Sequence, residues 1–574
     1  MKLHPVDLTI LLIYLIGIVF LGFYLRRRAM ESVEDYFLGG KRLHWLYISM
    51  SGSVTTYDIT GTMWIVAMFY TMGLKGMWIQ WSWGVLMPAF FMTFAGKWVR
   101  RSNVITGAQW LVTRFGEELD GKIARLAYAV TAIIFTIGFI GYAFQGIGKF
   151  TSVYLPVSET TGAFLIMGVT TVYVILGGFY SVIFTDLVQT VILTIAAAYV
   201  AVICYMNVSY EGLIAAVPEG WMDFSPAWQP AYLEGTEYQF FGLLCIAWVM
   251  KGLLLNAGGP GQLTDFQRVL ATRSARDSCK MGAAWSFFLI TRWGMCMGIT
   301  ALAVLGIEGI TDPEKVLPHV LQTYLPIGLK GVVLAGFLAA FMSTFDSTIN
   351  VGASYLVEDI YRSFIRPNAD RRELRWASIL ASLAIVIGGL LVGLKATSIS
   401  GIWNWLMMVF GAGYLVPNLL RWYWWRFNGW GVVGSLATGM LICFICTYGF
   451  PAATPYTTLF AIVGGSLVVG IAVTLLTPAT NEKILKTFYA SVCPGGVWKP
   501  VRKSLGTGLV YRKSELFARD VFNCVVAMVT IMTLYLLPIY AVIHHWNAVG
   551  VLACLFAAGT VILAFTWYPF LPDD

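Results

Sequence analysis

Residues 51–61 of the 574-residue chain read Ser-Gly-Ser-Val-Thr-Thr-Tyr-Asp-Ile-Thr-Gly and interrupt an apolar segment that begins near residue 45. A second interruption, Gly-Leu-Leu-Leu-Asn-Ala-Gly-Gly-Pro-Gly, occupies residues 252–261, five predicted helices further along. Interrupted helices at corresponding positions of two halves are typical of membrane proteins built from inverted repeats. Glycine also permits close helix packing, which would explain either break alone. Because the breaks match in position, we expect two inverted repeats.

The composition around these breaks is that of a membrane protein. Hydrophobic residues make up 58% of the chain and charged residues 12%, with a mean hydropathy of +0.73. A soluble domain carries about 25% charged residues. Since a spanning helix needs about 20 apolar residues, we predict about fifteen of them. They begin near residues 7, 45, 76, 123, 159, 181, 237, 281, 328, 375, 399, 429, 457, 520 and 548.

The basic residues predict how these helices are oriented. With the amino terminus outside and the helices alternating, thirty of the 38 lysines and arginines lie in cytoplasmic segments. That asymmetry follows the positive-inside rule. The segment 207–236 is acidic and aromatic and is expected outside. We therefore predict a multi-pass protein of the inner (plasma) membrane, with an external amino terminus and a cytoplasmic carboxyl terminus.

The expected organisation is all-α, with a five-plus-five inverted repeat as the central unit and extra helices at both ends. The predicted divisions are an extra helix and loop (1–44), the first repeat (45–206), an external loop (207–236), the second repeat (237–426), two peripheral helices (427–476), a basic cytoplasmic segment (477–519) and two C-terminal helices (520–574).

Five ionisable residues fall inside predicted spans: Asp58, Asp186, Lys251, Arg292 and Asp346. Such groups are costly in lipid and usually face a cavity, an ion or a partner. Asp58 lies in the first break, where unwound backbone would free carbonyl oxygens for a cation. Asp186 also fits a simple helix-start carboxylate. Lys251 is expected to extend its ammonium group toward the cytoplasmic interface.

The ninth predicted helix places hydroxyls beside a carboxylate. Ser343 and Ser347 are four residues apart and share a helix face, with Asp346 adjacent to them. Hydroxyls so placed can replace water around Na+, although serine and threonine in helices also bond back to their own preceding turn. Arg292, midway along the eighth helix, pairs either with a buried carboxylate or with a carboxylate or hydroxyl of a substrate. Both alternatives stay open from the sequence.

Four ordered motifs resemble those of the sodium/solute symporter family, which includes Na+-coupled sugar, proline, pantothenate and sialic acid transporters. They are Asp-Tyr-Phe-Leu-Gly-Gly-Lys-Arg-Leu at 35–43, Gln-Gly-Ile-Gly-Lys-Phe at 145–150, Gly-Gly-Phe-Tyr-Ser-Val-Ile-Phe-Thr-Asp-Leu-Val-Gln at 177–189, and Asp-Phe-Gln-Arg-Val-Leu-Ala at 265–271. The resemblance extends over about residues 7–450. It implies a LeuT-like fold with an Na+ site between the first and eighth core helices.

Carried over residue by residue, the resemblance implies two cation sites. The principal Na+ site would use backbone carbonyls of Thr56, Ile59 and Ala340 with hydroxyls of Ser343 and Thr344. A second Na+ site would use Asp186, Ser343, Asp346 and Ser347. Asp346 departs from the small hydroxylated residue usual in the family, so it would strengthen cation binding, take a proton or pair with Arg292.

The substrate is less well specified. Sugar-transporting members use a glutamine where this chain has Met63, and a lysine about one turn before Arg292, where this chain is apolar. A close copy of the galactose pocket is therefore disfavoured. Asp58 matches an acidic position important in the proline-transporting branch. The candidate substrate residues are Asp58, Thr60, Met63, Trp64, Gln80, Gln145, Asn256 and Arg292.

The sequence thus predicts a secondary active transporter, monomeric or weakly oligomeric, that moves a small polar solute with Na+ by alternating access. The solute would be a sugar, a sugar acid, or an amino or carboxylic acid. An H+-coupled symporter of the same fold is the alternative, because Asp58 and Asp346 are additional carboxylates. A transport-fold sensor and a membrane enzyme are disfavoured, since the chain has no kinase, receiver, HExxH or Gly-x-Ser-x-Gly motif. No nucleic-acid partner or organic cofactor is expected.

Overall fold

A computed structural model describes residues 3–25, 41, 43–104, 106–236, 238–259, 263–450, 454–505 and 516–572. Strand pairing within these ranges is limited to two isolated bridges, Leu43–Thr272 and Trp424–Val497. Ten helices of the described residues are long and apolar enough to cross a membrane, and two shorter apolar helices, Pro5–Ile18 and Phe241–Ala257, accompany them. The chain is therefore an all-α membrane protein, as predicted.

The amino-terminal half contains the following helices: Pro5–Leu25, Trp45–Thr56, Ile59–Met72, Met77–Trp81, Met87–Phe90, Gly96–Ser102, Gln109–Phe115, Leu119–Tyr154, Glu159–Asn207 and Tyr210–Ala216. Two π-helical segments, Ser82–Leu86 and Phe91–Ala95, join the pieces between Met77 and Ser102, so residues 77–102 form one helical segment.

The second half and the peripheral helices continue in the same way: Phe241–Ala257, Leu263–Ala271, Ala275–Phe288, Ile290–Gly306, Val316–Tyr324, Leu329–Ser354, Arg371–Lys395, Ile399–Asn404, Ala412–Tyr423, Gly429–Gly449, Pro455–Leu476, Glu482–Val492, Lys499–Ser504, Phe517–Val542 and Trp546–Thr566. Short 3-10 turns occur at Gly73–Gly76, Ala231–Leu233, Pro313–Lys315 and Tyr568–Phe570. Two further π-helical segments, Tyr355–Ile365 and Trp405–Phe410, extend or join these helices.

The first predicted break is present at Tyr57 and Asp58. Trp45–Thr56 ends where the Tyr57 amide donates to the Ser53 and Val54 carbonyls, at 2.9 and 3.1 Å. Ile59–Met72 begins at once, because the Asp58 carboxylate accepts a hydrogen bond from the Gly61 amide as an N-cap. We call these two pieces the first broken helix. Asp58 thus has a structural role at the break in addition to any role in binding.

The second predicted break is also present. Phe241–Ala257 ends at Gly258. Gly259 has φ = +108°, a backbone conformation that residues other than glycine rarely adopt. The chain is helical again from Leu263 to Ala271. Residues 260–262 lie outside the described residues. Phe241–Ala257 and Leu263–Ala271 together form the second broken helix.

One helical stretch, Glu159–Asn207, occupies the place of the predicted fifth and sixth helices. Glu159 pairs with Lys315 at 2.8 Å, in the connection that follows Ile290–Gly306. At the other end of the stretch, Cys204 packs against Gly298 of Ile290–Gly306. A methyl group added at Gly298 would lie 2.4 Å from Cys204 Cβ. The two contacts place parts of this stretch near Ile290–Gly306 and near the connection that follows it. The count of about fifteen spans stays a prediction.

Several basic residues counted as cytoplasmic are buried inside the protein. Lys97, Arg114, Arg268 and Arg421 are at most 3% exposed. Arg114, for example, donates to the carbonyls of Arg421, Trp424, Trp425 and Phe427. Because these side chains are buried, they do not add to a free basic surface. The predicted domain divisions and the orientation of the termini stay predictions.

Candidate functional site

Two buried polar regions lie on either side of the first break. The first, which we call the cation cluster, comprises Ser51, Thr55, Asp186, Arg268, Ser343, Thr344, Asp346 and Ser347. The second, which we call the pocket, is described below. Thr55 belongs to the cluster and also lines the pocket, so the C-terminal end of Trp45–Thr56 connects the two regions.

Oxygen atoms converge where the first broken helix meets Leu329–Ser354. The Thr344 hydroxyl donates to the Thr55 carbonyl at 2.8 Å and to the Ala340 carbonyl at 3.1 Å. The hydroxyls of Thr55 and Ser343 are 3.0 Å apart. These uncharged oxygens are the ligand type that a hard cation prefers. The structure therefore brings together three of the five residues predicted for the principal Na+ site, Ala340, Ser343 and Thr344, and adds Thr55.

The other two predicted residues lie close to this point. The Thr56 hydroxyl donates to the Gly52 carbonyl at 2.9 Å and accepts from Trp285 Nε1 at 3.2 Å. Ile59 begins the second half of the broken helix and is fully buried. The residue that contacts the Ser343 and Thr344 hydroxyls is thus Thr55, next to the predicted Thr56.

Arg268 occupies the centre of the predicted second cation site. Its Nη2 atom donates to the Thr55 hydroxyl at 2.6 Å and to the Ser347 hydroxyl at 2.9 Å, and lies 3.7 Å from Asp186 Oδ2. Its Nε atom donates to the Ser51 hydroxyl at 3.2 Å, and Ser51 donates to Asp186 at 2.5 Å. A guanidinium group therefore lies among the predicted oxygen ligands. The sequence analysis did not identify Arg268 as a site residue.

Asp346 and Arg292 lie in different regions. Asp346 accepts a hydrogen bond from the Ser347 hydroxyl at 3.3 Å within the cation cluster. Arg292 instead lines the pocket together with Asp58. The arginine of the cation cluster is thus Arg268, on the second broken helix.

The pocket is a narrow cavity of about 30 Å³ beside the break. It is lined by Thr55, Thr56, Asp58, Gly61, Trp64, Ile65, Gln80, Gly84, Phe139, Tyr142, Arg292, Trp293 and Trp403. Its aromatic side chains contact one another, with ring centroids 5.6 Å apart for Trp64 and Trp403 and 4.9 Å for Tyr142 and Trp403. Four predicted substrate residues are among the lining residues: Asp58, Trp64, Gln80 and Arg292.

Four donor atoms of the pocket lack a hydrogen-bond partner in the part of the chain that the structure describes. Gln80 Nε2, the Tyr142 hydroxyl, Arg292 Nε and Trp293 Nε1 are buried and make no hydrogen bond to any residue that the structure describes. A methyl group at Gly61 would lie 2.8 Å from Asp58 Oδ1, 3.2 Å from Arg292 Nη2 and 3.2 Å from the Tyr142 hydroxyl. The glycine thus leaves room where a carboxylate, a guanidinium and a phenol converge.

The remaining predicted substrate residues do not line the pocket. Thr60 packs against Gly146, and Met63 is fully buried. Gln145 donates to the carbonyls of Gly393 and Ala396, at 2.8 and 2.7 Å, and Asn256 donates to the Gly252 carbonyl at 2.8 Å. Gln145 and Asn256 bond to helix backbone, whereas Tyr142, Trp293 and Trp403 were missed. Lys251 is fully buried, with its ammonium 4.2 Å from the Trp248 ring centroid, and does not reach an interface.

The architecture defines the class of protein. Residues 36–439 match the model of the sodium:solute symporter family, and the chain belongs to this family. The fold is the LeuT-like five-plus-five inverted repeat. The structure superposes with a TM-score of 0.68 on a substrate-bound, outward-open Na+-coupled sialic acid symporter, at 18% identity, over 83% of this chain and 99% of that one.

Curated relatives cover nearly the same region. The chain is 26% identical to the high-affinity proline transporter PutP of Bacillus subtilis (strain 168) over 435 residues, which are 73% of this chain and 87% of the relative. It is 24% identical to the sodium/glucose cotransporter of Vibrio parahaemolyticus over 520 residues, which are 83% of this chain and 91% of the relative. The relatives thus transport chemically different solutes, and identity alone does not choose between them.

Proposed function

We propose that the protein is an Na+-coupled symporter that carries a small zwitterionic amino acid through the membrane by alternating access. The observation that carries the proposal is the composition of the pocket, where four unpaired buried donors accompany a single carboxylate. An unsatisfied buried donor costs about 1–3 kcal/mol. A ligand that supplies acceptors removes that cost, and a substrate carboxylate is the strongest such acceptor.

The pocket's charges favour a zwitterion over a sugar. Arg292 can hold a carboxylate through charge-assisted hydrogen bonds, and Asp58 can accept from an ammonium or secondary amine. The two groups converge beside Gly61, close enough for both ends of an α-amino acid. Trp64, Phe139 and Trp403 supply apolar walls for its side chain. The proline transporters among the relatives support this choice.

Na+ would bind between the first broken helix and Leu329–Ser354, at the oxygens around Thr55, Ser343 and Thr344. The ion would hold the two helices together and fix the residues that follow Thr55, of which Thr56 and Asp58 line the pocket. By linkage, Na+ and substrate must then raise each other's affinity by the same factor. Inward movement of one charge contributes about 2.3 kcal/mol per 100 mV of membrane potential.

Arg268 would act on the cytoplasmic side of this site. It joins the second broken helix to Ser51 and Thr55 on the first and to Ser347 on Leu329–Ser354. If the Arg268 guanidinium moved out of the cluster, these hydrogen bonds would break and the three helices would separate on the cytoplasmic side of the ion. The orientation follows the basic residues, with the amino terminus outside.

Purified protein in proteoliposomes tests the proposal. Uptake of labelled L-proline, other L-amino acids, galactose, sialic acid and succinate would be compared under inward Na+ or K+ gradients. We expect uptake of one or more amino acids that requires Na+, and its loss in Arg292→Gln. Sugar uptake without amino acid uptake would contradict the substrate class. Amino acid uptake that persists without Na+ and collapses with a protonophore would contradict Na+ coupling and favour H+.

A further inference from the structure

The C-terminal helix Phe517–Val542 lies beyond the matched residues 36–439, yet it packs directly on a pocket helix. The contact uses two glycines of Ile290–Gly306 that are four residues apart. A methyl group at Gly294 would lie 3.0 Å from Pro538 Cβ, and one at Gly298 would lie 2.9 Å from Val542 Cγ1. Small residues at this spacing let membrane helices approach closely. The C-terminal helix therefore lies against the helix that carries Arg292 and Trp293.

Tyr535 extends this contact to the wall of the pocket. Its ring centroid is 5.4 Å from that of Trp293. A methyl group at Gly84 would lie 2.7 Å from Trp293 Cζ2 and 3.3 Å from Tyr535 Cε2. Because Gly84 and Trp293 both line the pocket, Tyr535 lies directly behind that wall. Tyr535 is fully buried, and its hydroxyl has no hydrogen-bond partner among the described residues.

The start of the C-terminal helix is attached to the helical segment 77–102. Lys97 Nζ lies 2.6 Å from Asp520 Oδ2, with both side chains largely buried. Trp567 Nε1 donates to the Met92 carbonyl at 2.7 Å, from the turn after Trp546–Thr566. Lys97 and Met92 belong to the helical segment 77–102, which also carries Gln80 and Gly84. The C-terminal helices are thus attached to two of the three segments that supply donors to the pocket, 77–102 and Ile290–Gly306.

We propose that Tyr535 is a positioning residue that sets the size selectivity of the substrate pocket by holding the Trp293 indole in place. The proposal rests on the proposed function. Removing the phenol would leave space behind Trp293, and side chains move into such space only partly. Trp293 would then withdraw from the pocket, which would weaken contacts to a small substrate and admit a larger one. The C-terminal extension therefore determines which member of the substrate class is carried.

Transport selectivity provides one test. Tyr535→Ala, Tyr535→Phe and Tyr540→Ala would be compared for Na+-driven uptake of L-proline, L-leucine and L-phenylalanine. We expect Tyr535→Ala to raise KM for the smallest transported amino acid about tenfold and to improve the larger ones relative to it, because a cavity opens behind Trp293. Tyr535→Phe keeps the ring and should retain the size order. Tyr540→Ala removes the same atoms from the same helix on the face toward Val551, so its selectivity should match the parent.

A structural fault alone would lower the amount of protein or kcat for all substrates equally, without changing their order. The half-saturating Na+ concentration should change less than about twofold in Tyr535→Ala, since the cation cluster is not in contact with Tyr535. Unchanged relative KM values for the three amino acids in Tyr535→Ala would overturn the proposal.

A second measurement does not depend on knowing the substrate. Gln80→Cys would place a thiol in the pocket, and its labelling by a small methanethiosulfonate in the presence of Na+ would be followed on its own peptide by mass spectrometry. We expect added Tyr535→Ala to change the labelling rate about threefold or more, because a moved Trp293 alters access. Added Tyr540→Ala should leave the rate unchanged. An unchanged rate in Tyr535→Ala contradicts the inference. A changed rate without any amino acid transport contradicts only the proposed function.

Discussion

The cation cluster and the pocket lie on either side of the same helix break, and both are polar and buried. They differ in how their polar groups are paired. In the cluster, Arg268 donates to three hydroxyls and lies next to Asp186. In the pocket, the donors of Gln80, Tyr142 and Trp293 have no partner among the described residues.

This difference separates a region whose hydroxyls and carboxylate are bonded to or lie beside the protein's own guanidinium from a region whose donors are available to a ligand. Proteins pair nearly all buried polar groups, so a group of unpaired donors around a cavity is informative. The helices around the cluster can stay together without a bound cation, because Arg268 supplies positive charge beside Asp186. Thr55 belongs to both regions, so an Na+ bound at the Thr55, Ser343 and Thr344 oxygens of the cluster would affect both.

The largest effect is expected where the pairing of the cluster is broken. Arg268→Gln leaves Asp186 buried without its cation, which typically costs 3–5 kcal/mol. We expect a large loss of thermal stability or of folded protein. The double variant Arg268→Gln with Asp186→Asn removes both charges and should recover most of the stability. Thermal unfolding of the detergent-purified proteins measures this. Equal stability of the single and double variants would mean that the two residues are not energetically coupled.

Arg292→Gln should have the next largest effect, on transport. The variant keeps a donor but removes the charge that would hold a substrate carboxylate, and charge-assisted hydrogen bonds are worth about 1.5–3 kcal/mol. We expect uptake per folded molecule to fall about a hundredfold, with thermal stability close to the parent. Arg375→Gln, at an exposed arginine, is the control. A stability loss in proportion to the lost uptake would assign Arg292 a structural pairing role.

The Ser343→Ala and Thr344→Ala variants test the two cluster hydroxyls that contact Thr55. Each removes one predicted Na+ ligand, and we expect the half-saturating Na+ concentration for uptake to rise about tenfold, equivalent to 1.4 kcal/mol. Substrate KM at saturating Na+ should remain near that of the parent. Ser382→Ala is the control, because this buried serine bonds only to the Ser378 carbonyl of its own helix. Parental Na+ dependence in both variants would place the principal ion elsewhere.

Much of the fold could be predicted from the sequence because each signal was local. Apolar length located the helices, and Asp58 and Gly259 marked breaks through N-capping and a positive φ. Ser343 and Thr344 were found through the family resemblance, and the spacing of Ser343 and Ser347 placed hydroxyls on one helix face. The stretch Glu159–Asn207 was predicted as two helices that begin near residues 159 and 181, whereas the structure has it as one helical element.

The rest depended on contacts between distant segments. Arg268 was counted as a cytoplasmic charge because it follows the second break, and only packing shows that it extends back into the protein. Its one available signal was its place in the Asp265–Ala271 motif. Trp403 and Tyr142 belong to helices whose facing direction is not marked in the sequence. Gln145 was a candidate substrate residue within a motif that resembles the family's, and Asn256 was a candidate lining residue, whereas each bonds to helix backbone.

Two glutamines allow the smallest expected effect to be measured against a matched partner. Gln145 bonds to the carbonyls that end Arg371–Lys395, whereas Gln80 has an unpaired donor in the pocket. Gln145→Ala should lower stability by about 1 kcal/mol for the lost hydrogen bonds and change substrate KM less than twofold. Gln80→Ala should instead raise KM about fivefold and leave stability equal or slightly higher, since it removes a buried donor that has no protein partner. If both variants changed KM equally, hydrogen-bond pairing would not distinguish binding residues from structural ones in this protein, and the pocket would have to extend to Gln145.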